Sequence, residues 1–356
     1  MILSKSDCPQ VFGTGLIALD LVMSADSGAP VQAWAGGTCG NVLSILALLG
    51  WDVYPIARLN DEGASERIRA DMKRWGVHLQ FADCGPTTDA PIIIQHILRT
   101  KDGSPKHKFS WTCPHCGSWL PGFKPVTTKS VEHVVEHMSH AKAFFMDRLS
   151  RSALVLAQRA SENGAVVVFE PSAKSDEKLL SEALKIAHIV KYSDDRFGAM
   201  PGAMDQDSAT VLEIQTLGEA GLRYRHRRGR SPQWKHLKAV TAPLVVDTCG
   251  SGDWCTAGLI SKIAANGQEG LRKCGVAELT EALQFGQRLS AWNVAFEGAR
   301  GAMYAIGRGE LRKHLNRLAL GPSELVPRIS KNKTSTAAIV SCPACPSKFE
   351  SLSGRI

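Results

Sequence analysis

"DTCGSGDWCTAGL", residues 247–259, decides how the chain is read. Gly250, Ser251 and Gly252 make a turn of small residues, and the apolar run behind Asp253 is compatible with a helix. Such a turn at a helix N-terminus presents several backbone N–H groups together, and their partial positive charge forms a nest for an anion. A carboxylate beside an anion nest is repelled unless it has other work. The work that fits is to take the proton of a hydroxyl that attacks a phosphoryl group held in the nest. Alone, the same string also reads as an ordinary helix cap, so its surroundings decide.

Upstream, short apolar runs alternate with helical patterns. "QVFGTGLIALDLVMS" reads as a strand with two glycines, ending near Asp20. "GNVLSILALLG" (40–50) has apolar residues at helical spacing and a closing Gly50. "WDVYPIARL" reads as a strand, "EGASERIRADMKRWG" as a surface helix ending at Gly76, and "APIIIQHILR" (90–99) as strongly β-prone. "AKAFFMD", "AVVVFEP" and "AHIVKYS" are further short apolar runs, and "ATVLEIQTLGEAGLRYR" is a strand, a Gly turn and a return strand. From about Asp253 to Leu320 the pattern is helical. The alternation predicts an α/β fold of βαβ units around a mostly parallel sheet. "TKDGSPKHKFSWTCPHCGSWLPGFKP" (100–125) reads as loop, and the tail after Pro322 is polar as far as "IVSCPACPSKF".

The chain has 356 residues, 44% hydrophobic and 21% charged, which is ample for a core. No apolar run reaches the roughly 18 residues of a membrane span, and "MILSKSDCPQVFGTG" lacks a signal-peptide pattern. The expectation is a cytoplasmic protein without membrane contact. A formal charge of +8 favours anionic ligands. "RYRHRRGR" (223–230) reads as a solvated hairpin tip, with phosphate or nucleic-acid contact the lesser alternative.

Two stretches in order carry a resemblance. "AGGTCGNVLSILALLG" (35–50) places a Gly pair ahead of Asn41 and a buried helix, "LNDEG" (59–63) follows, and the Asp-containing glycine turn comes far downstream. From about Val11 to Leu320 the chain resembles the pfkB (ribokinase-like) carbohydrate kinase family. That family usually carries an Ala where Ser251 stands, a swap that keeps the turn small. The resemblance implies a doubly wound α/β domain over residues 1–322 with a small β-sheet lid, here from about 21–36 and 88–112, often paired into a homodimer. It implies transfer of the γ-phosphoryl group of ATP, with Mg2+, to a hydroxymethyl group of a sugar or nucleoside. Asp253 matches the catalytic base, and Gly250, Ser251 and Gly252 match the anion hole. Asp247 and Thr248 match residues that support the turn and, in many members, a monovalent cation such as K+. Asp20 falls where a substrate hydroxyl is held, and Gly36, Gly37 and Asn41 match the Gly-pair element that closes over the substrate. Thr216 and Gly218, in "TLGEAG", match the segment beside the nucleotide.

There are departures. "KYSDDRFG" stands where many members have Asn-x-x-Glu for magnesium, so Ser193 and Arg196 replace both residues and Asp194 or Asp195 becomes the available carboxylate. "FEPS" gives Glu170 and Ser172 where Asp-x-Asn is common. Trp34, Gln95 and His96 are candidate pocket residues, and an aromatic content of 6% gives no base-stacking signature, which favours a sugar over a nucleoside.

Ten cysteines in a long chain of this kind read as thiols or metal ligands rather than disulfides. "CPHCG" (113–117) and "CPACP" (342–346) each carry the spacing that lets two thiolates reach one tetrahedral zinc. Cys113, Cys116, Cys342 and Cys345 would then join the 323–356 tail to the 100–125 insert through a structural Zn2+. His133 and His137, with His140 a turn on, compete as partners for the first pair. The expected function is an ATP-dependent sugar kinase. The alternatives are a nucleoside kinase of the same fold, or a non-catalytic binding module that uses the zinc knuckles and the basic loop.

Overall fold

The computed structural model describes residues 8–26, 29–61, 63–101, 103, 105–171, 176–227, 232–321 and 341–349. Ser172, the end of the basic run at 228–230 and most of the 323–356 tail lie outside the described residues. Twelve described strands alternate with helices. In chain order these are β1 (Gln10–Thr14), β2 (Ala18–Met23), β3 (Gln32–Gly36), α1 (Thr38–Leu48), β4 (Asp52–Pro55) and α2 (Ala64–Arg74). Then come β5 (Ile92–Arg99), β6 (Pro105–Ser110), α3 (Thr128–Val135), β7 (Ala141–Met146), α4 (Arg151–Glu162), β8 (Val166–Phe169) and α5 (Glu177–Leu184). They are followed by β9 (Ile189–Ser193), α6 (Asp194–Phe197), β10 (Leu212–Thr216), β11 (Leu222–His226) and β12 (Lys235–Leu237). The chain closes with α7 (Ser251–Ile263), α8 (Gly267–Lys273), α9 (Val276–Asn293), α10 (Gly301–Ala305) and α11 (Arg308–Leu320).

The main sheet runs β12-β11-β10-β9-β8-β7-β1-β4. Its six strands from β10 to β4 are parallel, and β11 and β12 add an antiparallel edge. Strand side chains alternate between faces, and both faces are covered here. Val11, Phe145, Val166 and Val168 share one apolar cluster with residues of α1, α7 and α9. Phe12, Phe144, Val167 and Phe169 share the other with residues of α3, α4 and α5. Continuous apolar runs such as "VVVF" arise because a parallel strand is buried on both sides. Each such side chain contributes about 1.5–3 kcal/mol of transfer free energy. The doubly wound expectation is met. Among the described residues no helix is long and apolar enough to cross a membrane.

The second sheet, β3-β2-β5-β6, is the lid. β2 is antiparallel to β3 and parallel to β5, which is antiparallel to β6. Two corrections to the sequence reading follow. The opening stretch is two strands in two sheets rather than one. At Gly15 (φ +147°) the chain breaks out of the main sheet, and Leu16 N donates to Asp147 Oδ1 at 2.8 Å. A Cβ at Gly15 would lie 1.8 Å from that same oxygen, so the break requires glycine. The lid therefore begins at Ala18, and its last strand, Pro105–Ser110, uses part of the expected loop.

Leu19, Leu21, Ile92 and Ile94 alternate with the residues that face the cleft, and each is at most 2% exposed. They share a core cluster with Met72, Trp75, Cys113, Leu120, Cys342 and Phe349. That lid face is covered within one chain.

Candidate active site

Between lid and sheet lies a cleft of about 550 Å³. The main sheet contributes the carboxyl ends of its parallel strands, where open α/β sheets bind ligands. Arg148 follows β7, Glu170 and Pro171 follow β8, Lys191 to Ser193 end β9, and Thr216 ends β10. The glycine turn from Thr248 to Asp253 forms one wall, with Leu16, Asp20, Gly37 and Asn41 beside it.

Gly250 is left-handed (φ +76°), and a Cβ there would lie 2.3 Å from Ala299 O. It turns the chain into α7. The amides of Gly252 and Asp253 donate to no carbonyl among the described residues, whereas Ser251 N donates to Thr248 O at 3.3 Å. Of the expected 250–252, the amides of Gly250 and Gly252 are thus without a carbonyl partner among the described residues and Ser251 N is engaged, while Asp253 N extends the free set into the helix. Beneath the turn, Asp247 is 1% exposed. It accepts from Cys249 N (2.9 Å), Gly298 N (2.9 Å) and Gln95 Nε2 (2.6 Å). Its carboxylate thereby ties the turn to the lid. Thr248 lies on the cleft wall, its hydroxyl 3.4 Å from His107 Nδ1 of the lid.

Asp253 is 9% exposed, lines the cleft, and accepts from Asn41 Nδ2 at 2.7 Å. Burial pushes its carboxyl well above the usual range, and the nearby Glu170 adds to this, while Asn41 and Lys191 pull the other way. Asn41 is in turn gripped by Arg300, whose Nε donates to Asn41 Oδ1 at 3.1 Å. Arg300 is 2% exposed and reaches Asp71 Oδ2 at 3.0 Å and the carbonyl of Ala35. Tyr304 donates to the same Asp71 oxygen at 2.7 Å and stacks on Trp34. A buried polar chain thus runs from Asp253 to strand β3 of the lid.

Asp20, on β2, is 8% exposed, with Oδ1 unpartnered and Oδ2 accepting from Gly37 N at 3.4 Å. Burial raises its pKa to about 7, with Gly37 N and Arg300 opposing. This carboxylate explains Gly36, where a Cβ would lie 1.9 Å from Asp20 Oδ2, and the Leu16 carbonyl explains Gly37, where a Cβ would lie 2.5 Å from Leu16 O. Gly36 itself does not line the cleft.

Lys191, the first residue of "KYSDDRFG", carries no local signal of a role. It is 2% exposed, donates to Glu170 Oε1 at 2.5 Å and to Gly252 O at 3.2 Å, and borders the glycine turn. Burial alone would lower its pKa, but Glu170 carries it above the ordinary value, so it stays an ammonium. Thr256 Oγ1 donates to Glu170 at 2.5 Å, fixing that carboxylate from the helix side. Ser193, Asp195 and Arg196 line the cleft, whereas Asp194 is taken by Gln215 Nε2 at 2.6 Å. Thr216 is on the wall; Gly218 starts the turn between β10 and β11 and does not line the cleft.

The expected pocket residues of the lid are also replaced. Trp34 stacks on Tyr304, Gln95 is spent on Asp247, and His96 is not on the wall. Ile93, His107, Phe109 and Trp111 line the cleft instead. Register accounts for His96 alone: Asp20 pairs with Trp34 and Ile93, and Gln95 with Phe109, so these share one face of the lid and His96 takes the other, while Trp34 and Gln95 are engaged by Tyr304 and Asp247. The signals that could have found the missed residues are this alternation and the rule that strand carboxyl ends hold ligands. In the basic run, Arg223 and Arg225 lie over Trp234 and bond Gln215 and Glu213, and Arg227 bonds the carbonyl of Thr210. The described part of that run is engaged within the protein.

The pfkB family carbohydrate kinases are matched over residues 14–305. No curated protein matches the sequence. Among solved structures, a fructokinase with bound ATP from Xylella fastidiosa is similar at 17% identity and a TM-score of 0.64, over 86% of this chain and 98% of that one. An Arabidopsis thaliana ribokinase complexed with ribose and ATP is similar at 17% identity and a TM-score of 0.61, over 86% and 99%. A Burkholderia thailandensis nucleoside kinase in complex with inosine is similar at 19% identity and a TM-score of 0.60, over 87% and 97%. The match over most of the chain, with the same glycine turn and lid that the sequence pointed to, makes this protein a member of the pfkB carbohydrate kinase family.

Proposed function

We propose that this chain transfers the terminal phosphoryl group of ATP to a hydroxymethyl group of a sugar or sugar derivative. The observation that carries the reading is Asp253, a nearly buried carboxylate facing the cleft beside helix-start amides that have no carbonyl partner. In this reading Asp253 takes the hydroxyl proton, and the amides of Gly252 and Asp253 stabilise charge on the migrating group. Asp20, with its unpartnered oxygen, accepts acceptor hydroxyls near Gly37 and Asn41. ATP lies along the wall of Ser193, Arg196 and Thr216. Magnesium needs oxygen ligands, and Asp195 is the carboxylate facing that part of the cleft; the ATP phosphates and water would complete the set. Closure of the lid over the bound substrates would exclude water and so limit wasteful hydrolysis.

A nucleoside acceptor is the second reading, favoured by Phe109 and Trp111 on the lid wall, where a base could stack. The described arginines of the basic run are engaged within the protein, which speaks against their use in the nucleic-acid-binding alternative.

The test is to incubate the protein with ATP, Mg2+ and a panel of sugars, sugar derivatives and nucleosides, following ADP release and the phosphorylated product by mass spectrometry. ADP release that depends on one acceptor class is expected. Absence of turnover with every acceptor, or release indifferent to all of them, overturns the reading.

Asp20 gives a pH prediction. With a pKa raised from 3.8 to about 7, its carboxyl is protonated below neutrality and an acceptor-only carboxylate above it. kcat/KM for the acceptor should climb as pH rises through about 7, and Asp20→Asn should flatten that limb while lowering kcat/KM. Folding responds with the opposite sign. The raised pKa stabilises the fold fully below pH 3.8, and that contribution is withdrawn as pH rises to about 7. An unchanged pH limb in the Asn variant would remove Asp20 from acceptor binding.

A further inference from the structure

Cys113, Cys116, Cys342 and Cys345 come together on the lid side of the molecule, with all four sulfurs within 4.8 Å of one another. Cys113 Sγ is 3.9 Å from Cys345 Sγ, and Cys116 Sγ is 3.9 Å from Cys342 Sγ. A disulfide would hold its sulfurs at about 2.05 Å, and all four thiols are free. A tetrahedron of sulfurs about 2.3 Å from a central zinc has edges of about 3.8 Å. The observed spacing is that of thiolates arranged around an ion.

The backbone is shaped to match. Each pair sits in a tight hairpin-like turn. In the first, Gly117 N donates to Cys113 O and Cys113 N to Ser118 O, both at 2.8 Å, with Thr112 bridged to Trp119. In the second, Cys342 N donates to Ser347 O at 2.9 Å, and Ser341 is bridged to Lys348. Ala344 N points at Cys342 Sγ, 3.4 Å away, a donor suited to a thiolate. Two equivalent turns, 226 residues apart between Cys116 and Cys342, each offer half of a four-sulfur shell. The histidine alternative is not met: His133 and His137 pack against Phe81, with centroids 6.2 and 5.3 Å away. Among the described residues the four cysteines are the one group placed to hold a metal.

We propose that these cysteines form a closed structural zinc site that staples the C-terminal segment to the lid. Four protein thiolates leave no open position, so the ion's part is to hold the chain rather than to do chemistry. What it holds bears on the cleft. Trp111, two residues before Cys113, lines the cleft, and the strand that carries His107 and Phe109 runs directly into the first knuckle. Cys342 and Phe349 are 2% and 1% exposed and belong to the cluster containing the lid's apolar face. This short segment is too small to bury a core of its own, and a bound metal supplies the free energy that holds such an element in place.

The test is metal analysis of the full chain purified without added metal, together with the Cys116→Ser and Cys345→Ser variants. About one zinc per chain is expected in the parent and a loss of most of it in each variant. Cobalt substitution should give the thiolate charge-transfer absorption and intense visible bands of a tetrahedral four-sulfur site. Hydrogen exchange should show residues 111–120 and 341–349 losing protection together when zinc is removed. None of these three readouts depends on kinase activity, so a failure here is separable from a failure of the proposed reaction. A metal-free parent that gives no cobalt spectrum, iron in place of zinc, or full zinc retention in both variants would overturn the site. Zinc removal that leaves 341–349 protected would overturn the staple.

Discussion

Asp253→Asn is expected to lower kcat by about a thousandfold, the scale on which a positioned general base acts, while leaving the fold intact. The substitution keeps the shape of the side chain. The new amide can turn its oxygen toward Asn41 Nδ2, which now donates to Asp253 at 2.7 Å, so the chain through Asn41 to Arg300 survives. It also removes a buried carboxyl whose pKa is driven up by burial and by Glu170, which means that the folded protein disfavours its charged form. Thermal unfolding of the variant should occur at the same temperature or higher, the pattern of a residue kept for activity at the expense of stability. Acceptor KM should move little, because the base acts on the proton rather than on the bound sugar. A kcat within tenfold of the parent, or a clear fall in melting temperature, would mean that Asp253 is a structural residue.

Lys191→Met should have the second largest effect. The Lys191 ammonium sits 3.2 Å from Gly252 O at the edge of the glycine turn, and a Cβ on Gly252 would lie 3.4 Å from it. A buried cation thus lies beside the proposed phosphoryl position. Removing a preorganised charge of this kind should cost about a hundredfold in kcat. It should also destabilise the protein by about 3–5 kcal/mol, because Glu170 is left in a largely buried site without its partner. The two effects separate in Lys191→Met combined with Glu170→Gln, where no uncompensated charge remains. Stability should return toward the parent while kcat stays low. If the double variant regains normal turnover, Lys191 serves the fold alone.

How much of this was legible beforehand differs by element. Thr256, hidden inside α7, and Glu170, at the end of β8, are 86 residues apart, and neither carries a local signal that they meet at 2.5 Å. Glu170 stood out only as a departure from a family pattern, and no local signal marks its ion pair with Lys191. The lid shows the same limit in reverse. "IIIQHILR" announced a strand, but which of its residues face the cleft depends on pairing with β2 and β6, and a shift of one residue exchanges the faces. Gln95 was a reasonable candidate for the pocket and instead ties the lid to Asp247.

The sequence by itself determined the α/β class, the parallel core, the glycine turn with its aspartate, the Gly pair and the two cysteine knuckles. Each of these is written in a short window, as a period of apolar residues, a run without side-chain bulk, or a fixed ligand spacing. Tertiary structure alone decided where the first strand breaks, that Asn41 is held by an arginine 259 residues away, that Lys191 reaches the turn, and that the two knuckles face each other. These depend on how the strands register and how the lid sits on the sheet. Both are set by the packing of the whole core, which no local stretch encodes.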